Sequence, residues 1–143
     1  MKIFLVLNRK KTFINTIIYL LLTSCICILS SCQKNQKKVV QENIEKGQML
    51  FNSVGCINCH SVTGEDKLYG PSLKYSLGSE VTVLRDSIEH VVTINRDYIK
   101  RSISNPDFEK LIGYQSSKMA KTTLTPNDID FIVEYLISIN NHN

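Results

Sequence analysis

The pentapeptide Cys56-Ile57-Asn58-Cys59-His60 constrains this chain more than any other feature. Two thiols three residues apart, with a histidine next in line, form the Cys-x-x-Cys-His signature of c-type haem attachment. The chemistry explains the spacing. Each thiol can add to one vinyl group of a single haem, and the adjacent imidazole then lies beneath the porphyrin and offers a nitrogen to iron. Rival readings lack their parts. A thioredoxin-like redox pair asks for a βαβ setting, which the flanking sequence does not supply. A structural zinc site needs four ligands, and neither a second cysteine pair nor a His-x-x-x-His follows. The motif occurs once, so one covalently bound haem c is the expected cofactor.

The N-terminal segment sets the compartment. Lys2, Arg9, Lys10 and Lys11 precede twenty uncharged residues, Thr12 to Ser31, which is the positive-then-apolar order of a secretory signal. The run ends in Leu29-Ser30-Ser31-Cys32, which resembles a bacterial lipobox, with Cys32 as the residue that would carry lipid. Leu22-Thr23-Ser24-Cys25 fits the same pattern, but cleavage there would leave Ile26-Cys27-Ile28-Leu29 exposed behind the lipid. The alternatives are an uncleaved anchor, since twenty apolar residues can span a bilayer, and plain secretion. Each reading puts the rest of the chain on the outer face of the inner membrane. The expected organisation is a signal peptide over 1–31, a lipidated cysteine and polar tether over 32–42, and one domain over 43–143.

Charge excludes a further class. Four of the 17 lysines and arginines lie before Cys32, which leaves 13 basic against 13 acidic side chains. A balanced domain has no basic face for nucleic-acid phosphates.

His60 would serve one face of the iron, so a second ligand is sought downstream. His142 sits in the polar tail Asn140-Asn141-His142-Asn143, read as frayed, and His90 falls in an alternating segment. Met49 precedes the motif on an expected helix and reads as core. Met119 lies in Ser116-Ser117-Lys118-Met119-Ala120-Lys121, with no apolar stripe to account for it. Met119 is therefore the expected sixth ligand, with His90 or an open iron as the alternatives.

The surrounding pattern is mainly helical. A first helix is expected from Asn43 to Ser53, with Asn43 as N-cap. Gly47 and Phe51 share a face of that helix, beside Leu50 and Val54. A glycine inside a helix costs about 1 kcal/mol against alanine, which implies close approach by another element. The partner is a terminal helix opened by Thr125 and Pro126, with Ile129, Ile132, Val133, Leu136 and Ile139 at helical spacing. The two helices are expected to cross at Gly47. Between them, Gly70-Pro71 makes a turn, and Val81 to Val83 and His90 to Thr93 suggest a short hairpin around Arg85-Asp86-Ser87. Asn95 then caps a helix from Arg96 to Ser104, ended by Asn105-Pro106.

With these residues in place, the chain from Ile44 to Ile139 resembles a class I cytochrome c domain. The match lies in Gly47 and Phe51, the Cys56 to His60 motif, Gly70-Pro71, Met119 and the helix around Tyr135. More narrowly, it resembles the C-terminal cytochrome domain of caa3-type cytochrome c oxidase subunit II, through the hairpin, Tyr98-Ile99, Ser102-Ile103, Asn105-Pro106 and Gly113-Tyr114-Gln115. The resemblance implies a small α-helical shell around one haem with histidine and methionine axial ligands. It also implies that the Pro71 carbonyl accepts a hydrogen bond from His60 Nδ1 and that Leu73 packs near the haem plane. The chain departs from the pattern at Ala120, where relatives carry proline.

A chain of this length has a thin apolar core, and covalent haem would supply part of it. With both axial positions filled by protein, iron has no place for a small-molecule substrate. The function expected is single-electron transfer by a membrane-tethered carrier, between outer-face respiratory donors and an acceptor such as a terminal oxidase. A haem-based sensor or gas binder, in which Met119 leaves iron, is the alternative.

Overall fold

The computed structural model describes residues 15–20, 36–65, 69–75 and 77–140. The chain divides into two units, Met1–Val40 and Gln41–Asn143. Helix is present at 15–20, and α1 runs over 36–53. Among the described residues no helix is long and apolar enough to cross a membrane. Cys32 and His142 lie outside the described residues.

The second unit carries the fold. After α1 come a single 3-10 turn at Cys56–Asn58, strands β1 (Glu80–Arg85) and β2 (Ile88–Thr93), helix α2 (Arg96–Ser104), strand β3 (Lys110–Leu111) and helix α3 (Pro126–Asn140). The helix ends follow their sequence signals. Asn95 accepts from the Tyr98 amide at 2.9 Å and opens α2. Thr125 Oγ1 accepts from the Asp128 amide at 3.2 Å, while Asp128 accepts from the Thr125 amide at 3.1 Å, a reciprocal cap on α3.

Gly47 is the hinge of the packing. An ideal Cβ there would fall on the Phe131 backbone and lie 2.9 Å from Tyr135 Cβ, so α1 and α3 cross in direct backbone contact. Beside this crossing the Phe51 and Tyr135 rings meet at 5.6 Å, tilted by 55°, a favoured aromatic arrangement. Phe51, Ile94, Ile99, Ile129, Ile132, Val133 and Leu136 form the buried core. Each such side chain contributes about 1.5–3 kcal/mol through burial. The half-exposed pairs Lys100–Asp130 and Arg96–Glu134 bridge α2 to α3, and pairs of that exposure are worth about 0–1 kcal/mol.

The hairpin is real and belongs to a three-stranded antiparallel sheet in the order β2-β1-β3. Asp86 and Ser87 both take positive φ, 50° and 66°, as the tight two-residue turn matched to strand twist requires. Val81, Val83 and Arg85 share the inner face, and Val83 is fully buried. The third strand, two residues long, has no sequence signal.

Two expectations need correction. Helix α1 does not begin at Asn43: residues 36–42, read as tether, are already helical. Lys37, Lys38, Gln41 and Glu42 are good helix formers, no glycine or proline interrupts them, and Gln41 Nε2 donates to Glu45 Oε1 at 3.0 Å. Met49 is not core. It is 64% exposed, because it lies two residues from both Gly47 and Phe51, off the face they share.

Candidate functional site

Gly55 turns the chain out of α1 with a φ of 85°, a conformation glycine adopts without a steric penalty. The 3-10 turn follows, with the Cys59 and His60 amides both donating to the Cys56 carbonyl, at 3.2 and 3.0 Å. This tight winding brings both cysteines and His60 to one wall of an apolar cavity of about 420 Å³. Both thiols are free and half-buried. Burial, reinforced by the neighbouring Cys59, pushes the Cys56 thiol above its ordinary value despite an opposing backbone hydrogen bond.

The next loop fixes the imidazole. His60 Nδ1 donates to the Pro71 carbonyl at 2.9 Å, which leaves Nε2 as the nitrogen free to bind a metal. Gly70 makes room for the ring: a Cβ there would come within 2.7 Å of His60 Cε1 and 2.9 Å of Nδ1. Leu73 then lines the cavity while its amide donates to the Ser61 carbonyl at 2.7 Å.

The C-terminal end of α3 holds this loop. Buried Asn140 accepts from the Tyr75 amide at 2.8 Å and donates to the Leu73 carbonyl at 2.9 Å and to Leu136 at 2.8 Å. Lys74 Nζ donates to the Ile139 carbonyl at 2.5 Å. The polar tail suggests fraying at Asn140, but two of its three partners lie 65 and 67 residues away, and local sequence carries no sign of those. Gly70 was legible as a turn, but its role as the space for His60 was not.

Another stretch of the cavity is lined by residues 117–120 and Thr122. In this segment Ser117, Met119 and Thr122 are half-buried, whereas Lys118, Ala120 and Lys121 are exposed. The structure therefore brings Cys56, Cys59, His60, Pro71, Leu73 and Met119 to one cavity. His90 sits on β2 opposite Val83 and is not among the described residues that line it. Among the described residues no cluster of three or more His, Cys, Asp or Glu could hold a bare metal ion.

The cavity fits a large apolar macrocycle. Its volume lies within the roughly 300–1,000 Å³ of small-molecule and cofactor sites, and its walls are chiefly Phe51, Val81, Ile94, Ile99, Ile132 and Leu136. The Tyr75 ring also lines it, and the buried Tyr75 hydroxyl has no partner among the described residues. Burial, with Tyr98 adding to it, pushes the Tyr75 phenol well above its ordinary value. It stays a protonated donor for a polar group of the occupant.

A helical shell with a Cys-x-x-Cys-His turn opening onto an apolar cavity defines a covalent-haem protein. The family model for cytochrome c matches residues 44–140, and the chain belongs to that family. Its domain binds one covalent haem c and works by haem-based electron transfer with redox protein partners. Among solved structures, cytochrome c from Rhodothermus marinus is similar at a TM-score of 0.48 and 20% identity, over 72% of this chain and 81% of that one. No curated protein matches the chain.

Proposed function

We propose that the protein is a membrane-tethered monohaem cytochrome that carries single electrons on the outer face of a bacterial inner membrane. Cys56 and Cys59 provide the two thioethers, His60 the proximal iron ligand and Met119 the sixth. Pro71 orients His60, and Leu73 lines the cavity that would hold the haem. The observation that carries this reading is the single cavity that both cysteines, His60 and Met119 line together. When bound, the haem supplies an iron that cycles between ferric and ferrous. The protein's part is to exclude water and hold both ligands, and methionine ligation with burial raises the potential.

The cysteine at the end of the apolar lead, Cys32, is the proposed lipid carrier. The resemblance to the cytochrome domain of caa3-type oxidase subunit II supports a terminal oxidase as acceptor. Near-neutral charge beyond residue 31 leaves little long-range steering, so membrane tethering is what would keep the carrier near its partner.

Three measurements test the reading. The ferric protein should show the far-red methionine–iron band, and the ferrous protein should resist carbon monoxide. Tight carbon monoxide binding by folded protein would instead establish the gas-binding alternative. Native protein should stay with membranes in high salt, and Cys32→Ala should prevent lipid processing. A mature membrane protein that keeps Met1 would overturn the lipid anchor.

A further inference from the structure

The segment that carries Met119 has little secondary structure of its own. From Ser117 to Thr125 it forms neither helix nor strand. Upstream, it is tied to the sheet by β3, whose two residues pair as Val83 with Leu111 and Leu84 with Lys110. Ile112 then donates to the Thr82 carbonyl at 3.1 Å, Tyr114 to Leu111 at 2.9 Å and Ser117 to Tyr114 at 3.1 Å. So short a strand specifies its register weakly. A slip of one residue would shift the chain by about 3.3 Å. Carried along the segment, such a slip would move Met119, half-buried between exposed Lys118 and Ala120, from its present place on the cavity wall.

Glu109, immediately before β3, is the element that resists a slip. Its side chain is only 3% exposed, and both oxygens are engaged. Oε2 accepts from Arg85 on β1 at 2.6 Å. Oε1 accepts from Arg101 Nε at 2.9 Å and from its terminal nitrogen at 2.7 Å, on α2. Phe108 lies beneath both guanidiniums, at 4.6 Å from Arg85 and 5.6 Å from Arg101. Planar guanidiniums in two separate elements can fix one carboxylate to a single position. A buried ion triad is weak evidence for stability, since desolvation offsets most of its attraction; setting register is its best-attested use. Tyr98 and Ser102 of α2, the helix that bears Arg101, line the cavity with Glu109 itself.

We propose that Glu109, clamped by Arg85 and Arg101, is the positioning residue that sets the register of the Met119 segment and so delivers the Met119 thioether to the cavity. The proposal rests on the reading of Met119 as sixth ligand. It adds a control that the Cys-x-x-Cys-His motif does not contain: occupancy of the sixth position is set by an ion triad on the hairpin and α2.

The test uses the full haem-loaded chain in four forms: unmutated, Glu109→Gln, Met119→Ala and Val133→Ala, the last weakening the buried core away from the segment. The ferric far-red band and ferrous carbon monoxide affinity are read on folded protein. Apparent affinity scales with the fraction of molecules whose binding position is open. Glu109→Gln should weaken the band and tighten carbon monoxide binding about tenfold, equivalent to ~1.4 kcal/mol, while Val133→Ala leaves both unchanged. An unaltered band and affinity in Glu109→Gln would overturn the proposal, as would equal changes in Val133→Ala. A band that is absent from the unmutated protein, or that survives Met119→Ala, would refute the ligand assignment and the proposal with it. If Glu109→Gln does not accumulate as haem protein, the same two readings on Arg101→Lys, which keeps charge but loses the paired contact of two guanidinium nitrogens with Oε1, decide the question.

Discussion

Gly70→Ala offers a test of how the fold holds His60. The new methyl group would stand 2.7 Å from His60 Cε1, 2.9 Å from Nδ1 and 3.0 Å from the Cys59 carbonyl oxygen. Carbonyl and loop are backbone, so the imidazole is what must give. Overpacking of this kind costs about 1–3 kcal/mol, and the smaller unfolded-state entropy of alanine returns only about 0.4–1 kcal/mol. The net expectation is a loss of about 1–2 kcal/mol in denaturant unfolding of the haem protein, read as a lower midpoint with unchanged slope. A tilted ring also weakens the 2.9 Å bond to the Pro71 carbonyl. That bond makes the imidazole more basic and favours ferric iron, so weakening it should raise the potential. If the bond differs between oxidation states by ~1 kcal/mol, the one-electron shift is about 40 mV. Equilibrium redox titration reads it. A Gly70→Ala protein with unmutated stability and potential would refute the claim that this glycine exists to admit the imidazole.

Further outcomes follow from other contacts. Gly47→Ala should destabilise the protein by about 1–3 kcal/mol despite better helix propensity, because its methyl meets the Phe131 backbone; a gain in thermal midpoint would contradict the crossing. Asn140→Ala leaves the Tyr75 amide and Leu73 carbonyl without their partner and should cost about 2–3 kcal/mol in denaturant unfolding. Burial alone would raise the Glu109 carboxyl, but Arg85 and Arg101 outweigh it and hold it below the ordinary range. Its contribution is therefore full above the unfolded carboxylate value, about 4.3, and is lost as pH falls through the lower folded value. Acid unfolding of Glu109→Gln should lack that part of the slope.

What the sequence disclosed depended on distance along the chain. The haem-attachment turn, the Asn95 and Thr125 caps and the hairpin are local, and their residues announce them. Gly47 was legible over a longer range because a helical glycine is costly unless something needs the space. Asn140, by contrast, acts on residues some 65 positions earlier, and the Glu109 triad joins three elements that no periodicity links. Met119 was singled out because it lacked a stripe. The half-burial of Met119 between exposed Lys118 and Ala120 comes from the fold, since polar Ser117 is half-buried and Ala120 is exposed. Residues 36–42 are polar and so suggest a tether, yet lysine, glutamine and glutamate favour helix when nothing breaks it, and the segment is helical.

The central claim is one haem joined to Cys56 and Cys59, and intact mass under denaturing conditions tests it most directly. Protein made in a haem-attaching host should, after denaturation, weigh one haem more than its polypeptide. The peptide spanning residues 56–60 should carry that mass, with neither thiol open to alkylation. Haem that passes into acid–organic solvent, or a reactive thiol at Cys56 or Cys59 in the haem-bearing protein, would contradict the account.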